Sequence, residues 1–220
     1  GSTPVTKAEI IELIHEDWLT FIMRGDTADE TLETCEALIA GGARLVEAAF
    51  TTPDVTRVLC ELRRRHGSGI VLSAGTVRTP EQARIAVDCG VDAIVAPDFE
   101  ATVVEVALKN GKVSIPGCAT PSEIAEALRL GADIIKLFPC YHLGPEYVRY
   151  ILAPFPEARI LPAGSITYDN MQAYYDAGAF AGVAGVTTEC QLRDAIKARR
   201  FDEVSAVARV FVSRARGLGR

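Results

Sequence analysis

The sequence predicts a (β/α)8 barrel of the TIM-barrel type with an extra helix at its N-terminus. Four helical patterns end in glycine and run directly into a short apolar segment, at Gly42, Gly90, Gly131 and Gly178. Four more apolar segments alternate with helical patterns, which gives eight predicted strands. Strands that alternate with helices pair in parallel, and eight such units in 220 residues fit a closed barrel. A doubly wound open sheet is the alternative, but no predicted strand is followed by a GxGxxG turn.

The first predicted element is a helix over residues 6–16. Thr6 and Glu9 can form a capping box, and Ile10, Leu13 and Ile14 share one face. We expect this helix to plug or flank the barrel. The eight predicted strands lie within residues 19–24, 42–47, 70–74, 90–95, 113–116, 131–136, 159–163 and 178–183.

Prolines mark the starts of four of the helices between these strands, at Pro53, Pro80, Pro121 and Pro145. Three of them follow a threonine that can cap the helix. Proline suits the first helical position because the N–H that it lacks would be unpaired there anyway. The turns from strand to helix are therefore well specified by the sequence.

Composition indicates a soluble protein with one domain over residues 1–220, from which we exclude Gly1-Ser2 as a remnant of cloning. The chain is 49% hydrophobic and 24% charged, enough for a large core. A net charge of −6 argues against nucleic acid or an anionic membrane as the main partner. No apolar run approaches the ~20 residues of a membrane helix, and no signal peptide is evident. We expect a cytoplasmic protein.

The six cysteines show neither CxxC nor a cysteine-histidine ligand spacing. We therefore expect no disulfide framework and no zinc site. Cys118, Cys140 and His142 follow neighbouring strands and would lie near the barrel mouth. A metal site is one interpretation of these three residues, but packing and hydrogen bonding are more typical of such a set, so we predict no metal.

Lys136 lies inside the apolar run of residues 131–139, which is typical of a buried strand. Burial disfavours the charged ammonium, and a neutral amine is a nucleophile toward carbonyl carbon. The alternative is a lysine that reaches solvent or pairs with an acid.

Glu47 follows Gly42 at the same distance as Lys136 follows Gly131, so the two occupy matching positions on the second and sixth predicted strands. In a closed barrel these strands face each other, and a carboxylate and an amine then converge at the carboxyl ends of the strands. One interpretation is a structural ion pair. The other is chemistry in which Lys136 forms a Schiff base and Glu47 moves protons.

Six segments carry a family resemblance, in order along residues 17–195: Arg24-Gly25-Asp26, Val46-Glu47, Ala74-Gly75-Thr76-Val77, Pro116-Gly117-Cys118-Ala119-Thr120, Lys136-Leu137-Phe138-Pro139 and Gly144-Pro145-Glu146-Tyr147-Val148. Together they resemble the class I aldolases that act on 2-keto-3-deoxy-6-phosphogluconate and on its galactonate epimer. The resemblance implies a homotrimeric barrel that cleaves a 2-keto-3-deoxy acid, or its 6-phosphate, to pyruvate and an aldehyde without a metal or organic cofactor.

The resemblance also implies residue roles. Lys136 would be the Schiff-base lysine and Glu47 the acid and base. Thr76 would lie beside the pyruvyl carboxylate, Phe138 would pack against the imine, and Arg24 would line the site. The remaining expected substrate-binding residues are Thr51, Pro97, Thr120, Gly164, Ser165 and Gly185.

The sequence departs from the family pattern at one position near Glu47. The gluconate branch has an arginine in a Val-Glu-x-x-x-Arg-Thr context, where this chain has Thr51-Thr52. The bidentate charge clamp is therefore missing, although Thr51 can still donate a hydrogen bond and we expect Arg24 to compensate.

The phosphate-binding loops of the family also differ here. Ser165 and Val186 replace residues of the usual cradle, Asp98 adds a nearby carboxylate, and residues 162–170 and 182–190 hold no lysine or arginine. We assign the arginines of residues 193–220 to a solvated helix face. We therefore expect less dependence on a substrate phosphate than in the relatives.

Two other functions stay open at this point. One is a 4-hydroxy-2-oxoglutarate aldolase, or a decarboxylase, acting on an unphosphorylated 2-keto acid. The other is a noncatalytic binding protein that keeps the fold, against which the presence of both Glu47 and Lys136 speaks.

Overall fold

The computed structural model describes residues 5–219, so Gly1-Ser2 lie outside the described residues. The chain adopts an α/β fold in which every strand pair is parallel. The strands are β1 Leu19–Met23, β2 Leu45–Ala49, β3 Val71–Gly75, β4 Ala93–Val95, β5 Val113–Ile115, β6 Gly117–Cys118, β7 Ile135–Leu137, β8 Ile160–Pro162 and β9 Gly182–Gly185. The α-helices are α1 Lys7–Asp17, α2 Ala28–Ala40, α3 Val55–His66, α4 Pro80–Asp88, α5 Ala101–Lys109, α6 Pro121–Leu130, α7 Gly144–Leu152, α8 Met171–Asp176, α9 Arg193–Lys197 and α10 Phe201–Arg216.

The strands form two parallel sheets, one in the order β5-β4-β3-β2-β1-β9 and one in the order β6-β7-β8. Each of the eight predicted strand positions holds a strand. The fifth is divided into β5 and β6 at Pro116, which has no N–H to donate to a ladder. A single bridge between Ala163 and Val183 joins β8 to β9. The Lys136 N–H donates to the Pro116 carbonyl, at the junction of the two sheets.

Most helix starts agree with the sequence prediction. The capping box of Thr6 and Glu9 is present, and Thr79 and Thr120 cap helices whose first turns contain Pro80 and Pro121. Pro145 also lies in the first turn of its helix, as predicted.

The prediction for Pro53 is wrong, because α3 begins only at Val55. Its cap residue, Asp54, has a left-handed backbone with φ 51° and makes no side-chain capping bond. Thr52 is not available as a cap, since its buried hydroxyl accepts a hydrogen bond from the Gly25 N–H at 3.3 Å.

Helix α1 covers the amino ends of the central strands. Its Ile10 and Ile14 share a buried cluster with Leu45, Val71 and Val113, the first residues of β2, β3 and β5. A second buried cluster fills the space between the sheets and the surrounding helices. The carboxyl ends of the strands are therefore the ends that α1 leaves open.

The sequence predicted no disulfide framework, and the structure contains one disulfide that this prediction did not foresee, between Cys60 and Cys89. Their Cα atoms lie 4.7 Å apart although 29 positions separate them in the chain, so the pairing arises from the packing of α3 beside α4. The other four cysteines are buried and free. Within residues 5–219, no cluster of potential metal ligands occurs, and no helix has the length and apolarity needed to span a membrane.

Asp17 ties the end of α1 to the rest of the fold. Its side chain is 8% exposed and accepts two hydrogen bonds from Arg44, both at 2.7 Å, and two from Arg216. Burial opposes ionisation of Asp17, but these bonds outweigh it, and the net pKa of the carboxyl is lowered. The two arginines thus hold one nearly buried carboxylate in its charged form.

We expect Asp17→Asn to lower the free energy of unfolding by about 1–3 kcal/mol at neutral pH, because two charge-assisted contacts lose their acceptor. Because the folded pKa is depressed, the contribution of Asp17 is present above the unfolded value of 3.8 and is lost as the pH falls below it. Urea denaturation at pH 7 and pH 3 measures both effects. Asp169→Asn, at an exposed aspartate, is the control, and equal stability of the two variants would contradict the prediction.

Candidate active site

A cavity of about 520 Å³ lies at the carboxyl ends of β1, β7, β8 and β9. Five of the predicted site residues line it: Arg24, Lys136, Phe138, Gly164 and Gly185. They belong to strand ends far apart in the sequence, and parallel pairing brings these ends to one face of the fold.

Lys136 is the central residue of β7 and is only 4% exposed. Its Nζ lies 4.8 Å from the centroid of the Phe138 ring, and no described residue forms a hydrogen bond or salt bridge with it. Burial lowers the pKa of Lys136, the negative charge of Glu47 opposes that shift, and Arg24 adds to it. In the structure Lys136 neither reaches solvent nor pairs with an acid, so both alternatives are wrong. Lys136 is a buried amine biased toward its neutral, nucleophilic form.

Glu47 lies in the middle of β2 and is 1% exposed. Neither of its carboxyl oxygens has a hydrogen-bond partner. Burial raises the pKa of Glu47, and the positive charges of Lys136 and Arg24 offset part of that rise. The neighbouring strand makes room for the side chain, because a Cβ at Gly75 would lie 2.6 Å from Glu47 Oε1. Unpaired buried oxygens are rare in folded proteins, and here they leave both carboxyl oxygens of Glu47 free to exchange a proton with a bound molecule.

Glu47 and Lys136 affect each other's pKa but form no salt bridge. The interpretation of Glu47 and Lys136 as a structural ion pair is therefore wrong. The two pKa shifts run in opposite directions, so both groups are biased toward their neutral forms. An amine that can attack and an acid that can donate a proton are the combination needed for carbinolamine formation and loss of water.

Arg24 follows β1 and faces the same cavity. Its Nη1 donates a hydrogen bond of 2.9 Å to Thr51 Oγ1. Arg24 does not pair with the nearby Asp26, which instead contacts Lys197 Nζ at 2.6 Å. Thr51 does not line the cavity itself, so its role in the structure is to hold the guanidinium of Arg24.

Other predicted binding residues lie outside the cavity lining. Thr76 is half-buried after β3 with a left-handed φ of 53°, and Pro97 is half-buried against Gly117. Thr120 is exposed, and its hydroxyl is engaged with Glu123 in the capping box of α6.

Ser165 does not meet the cavity either. It is 5% exposed, and its Oγ lies beside the Cys140 thiol and the Tyr174 hydroxyl without forming a well-directed hydrogen bond to either. Burial raises the pKa of the Cys118 thiol to about 12 and also raises that of Cys140. Burial thus favours the protonated form of both thiols.

The sequence missed several charged residues of the cavity: Asp26, Glu30, Glu189, Arg193 and Lys197. Arg193 begins α9 directly behind the loop that follows β9, and its side chain is exposed, as predicted for a solvated helix face. It also lines the cavity, which the sequence did not predict. Asp98 is exposed and does not line the cavity, so it adds no charge to the lining. The position of Arg193 just past that loop was the available signal for its place in the lining.

Comparison with known proteins assigns the chain to a family. Residues 10–207 match the model of the KDPG and KHG aldolases. The chain belongs to this family. The 2-dehydro-3-deoxy-6-phosphogalactonate aldolase of Escherichia coli K12 is 33% identical over 161 residues, which cover 73% of this chain and 78% of that protein.

Two further relatives agree with this assignment. The 2-dehydro-3-deoxy-phosphogluconate aldolase of Treponema pallidum is 34% identical over 150 residues, 68% of this chain and 71% of that protein. A solved structure described as native KDPGal superimposes with a TM-score of 0.79 at 30% identity, covering 90% of this chain and 95% of that one.

The lowered pKa of Lys136 can be tested by its rate of acylation as a function of pH. We expect the midpoint of labelling to lie below that of Lys109, an exposed lysine without an ion pair, because burial removes the water that stabilises the ammonium. Competitive labelling with an amine reagent, followed by peptide mass spectrometry, measures both lysines in one sample. Equal midpoints would show that Lys136 is solvated as an ordinary lysine.

Proposed function

We propose that the chain is a class I aldolase, a carbon–carbon lyase, that cleaves a 2-keto-3-deoxy sugar acid or its 6-phosphate to pyruvate and an aldehyde. One observation carries this proposal. The buried amine of Lys136 lies in a cavity, without an ion pair, and is coupled to the unpaired carboxyl of Glu47. Two relatives are named as aldolases of phosphorylated 2-dehydro-3-deoxy sugar acids, which supports the same reaction here.

The reaction follows from the two neutral groups. Lys136 Nζ attacks the keto carbon, and the tetrahedral carbinolamine loses water after Glu47 gives its proton to the hydroxyl. The resulting iminium accepts the electron pair of the C3–C4 bond, while the Glu47 carboxylate takes the proton of the 4-hydroxyl. The aldehyde leaves, and the enamine of pyruvate remains. Protonation of that enamine and hydrolysis of the iminium release pyruvate and restore the amine.

Two neighbours support the charged intermediate. The face of Phe138 lies where the nitrogen becomes positive, at 4.8 Å from Nζ, and can stabilise the iminium by a cation–π contact. Arg24, held by Thr51, provides the cation for the carboxylate of the bound acid. This arrangement takes over the role of the arginine that the gluconate branch has at position 51.

We also propose that the described sheets close into one (β/α)8 barrel, and that residues 1–220 form a single domain that assembles as a homotrimer. Two contacts support closure: the bridge from Ala163 to Val183 joins the β8 and β9 edges of the two sheets, and the bond from Lys136 to Pro116 joins β7 to the link between β5 and β6. The trimer is proposed from the family resemblance, and sedimentation equilibrium would test it directly.

Borohydride reduction in the presence of pyruvate should fix a pyruvyl adduct on Lys136, because reduction traps the iminium. Lys136→Arg should abolish the adduct, since guanidinium stays protonated at any working pH. Lys109→Arg is the matched control and should keep it. Peptide mapping that places the adduct on another lysine would contradict the assignment of the Schiff base to Lys136.

Glu47→Gln should lower kcat by ~10² to 10⁴-fold, the usual cost of a lost general acid and base. The fold should persist, because glutamine fills the same space beside Gly75. Glu105→Gln, at an exposed glutamate of α5, controls for the change in net charge. A loss below threefold would mean that another group moves the protons.

A further inference from the structure

The loop after β9 holds a carboxylate of the chain itself at the position where a bound anion would be expected. The Gly185 N–H donates a hydrogen bond of 2.8 Å to Glu189 Oε2. The Thr188 hydroxyl donates to the same oxygen. All three residues line the cavity that contains Lys136. A carboxylate bound by a backbone N–H and a hydroxyl imitates the contacts of one phosphate oxygen.

Two other N–H groups of this turn are already engaged. The Val186 N–H donates to the Ile22 carbonyl at 3.0 Å, and the Cys190 N–H donates to the Gly185 carbonyl at 3.0 Å. Gly185 is required for this arrangement, because a Cβ there would overlap both Glu189 Oε2 and Thr188 Oγ1. The Glu189 carboxylate thus occupies the space beside Gly185 and is bound there by the Gly185 N–H and the Thr188 hydroxyl. A substrate phosphate would have to displace it or bind beside it.

The charges around the cavity do not favour a dianion. Apart from Lys136, its lining contains three cations, Arg24, Arg193 and Lys197, and three carboxylates, Asp26, Glu30 and Glu189. Lys197 is already neutralised, since its Nζ contacts Asp26 at 2.6 Å and Glu30 at 2.8 Å. A phosphate near Glu189 would meet like charge, whereas substrate hydroxyls would find an acceptor in Glu189 Oε1 and a donor in Arg193.

We propose that Glu189 sets the phosphate dependence of this aldolase. Its carboxylate takes the anion position at Gly185, so the cavity favours a 2-keto-3-deoxy acid whose far end carries hydroxyl groups without a phosphate. This inference rests on the proposed aldolase reaction and deepens it, because it names the substrate class at the end of the cavity away from the carbonyl.

The test compares kcat/KM for a 6-phosphorylated 2-keto-3-deoxyhexonate with kcat/KM for its unphosphorylated form, in wild type and in two variants. Glu189→Gln removes the charge but keeps an acceptor for the Gly185 N–H, and Glu189→Ala also empties the position. We expect the ratio of phosphorylated to unphosphorylated substrate to rise by about tenfold or more in both variants, because repulsion of the dianion is lost. Glu157→Gln, an exposed glutamate outside the cavity lining, should leave the ratio unchanged.

A smaller rise, no change or a fall in the ratio in both variants would overturn the role of Glu189. Trapping of pyruvate on Lys136 by borohydride is measured in the same preparations. An intact adduct together with an unchanged ratio means that only this inference has failed. Loss of the adduct in wild type means that the aldolase proposal itself has failed.

Discussion

The burial of one amine and one carboxyl group in the same apolar interior is the constraint on which the rest of this structure depends. Lys136 and Glu47 are 4% and 1% exposed, and neither forms an ion pair that would compensate for lost solvation. Burial shifts the pKa of each group toward its neutral form, and the surrounding core must offset the cost of burying both groups in folding free energy. Helix α1 contributes to that core by closing the amino ends of the strands, and Asp17 anchors α1 through Arg44.

The cavity therefore has two chemically different ends. At the end that holds Lys136 the side chain is buried, and small changes of charge on the nitrogen are strongly felt because burial limits screening by water. Around Glu189, Arg193 and Lys197 the lining is polar and carries charges of both signs. In the proposed reaction the buried end binds the keto acid, and the polar end meets the rest of the substrate. The loops of the polar end are where this chain departs from the expected pattern.

Much of the fold and the burial of Glu47 and Lys136 could be predicted from sequence because the signals are local. A glycine followed by an apolar run indicates a strand, and the equal offset from Gly42 and Gly131 indicates matching positions for Glu47 and Lys136 on their strands. The bond between Cys60 and Cys89 and the place of Arg193 in the cavity lining could not be predicted, because both depend on how distant elements pack.

Thr120 shows a second reason why a site residue cannot be predicted from sequence alone. A threonine before a proline can be a helix cap or part of a family's binding motif, and in the structure Thr120 caps α6. Whether a residue lines a cavity depends on its side-chain direction, which a motif does not specify.

The central claim, that burial shifts the pKa of Lys136 and of Glu47 toward the neutral form of each group, is tested most directly by NMR titration of the Glu47 side-chain carboxyl carbon in selectively labelled protein. We predict a titration midpoint above the usual glutamate value of 4.5, because burial raises the pKa of Glu47. Lys136→Met should raise that midpoint further, because the positive charge of Lys136 lowers the pKa of the acid. A midpoint at or below 4.5 in the wild-type protein would contradict the account, because burial would then not govern the ionisation of Glu47.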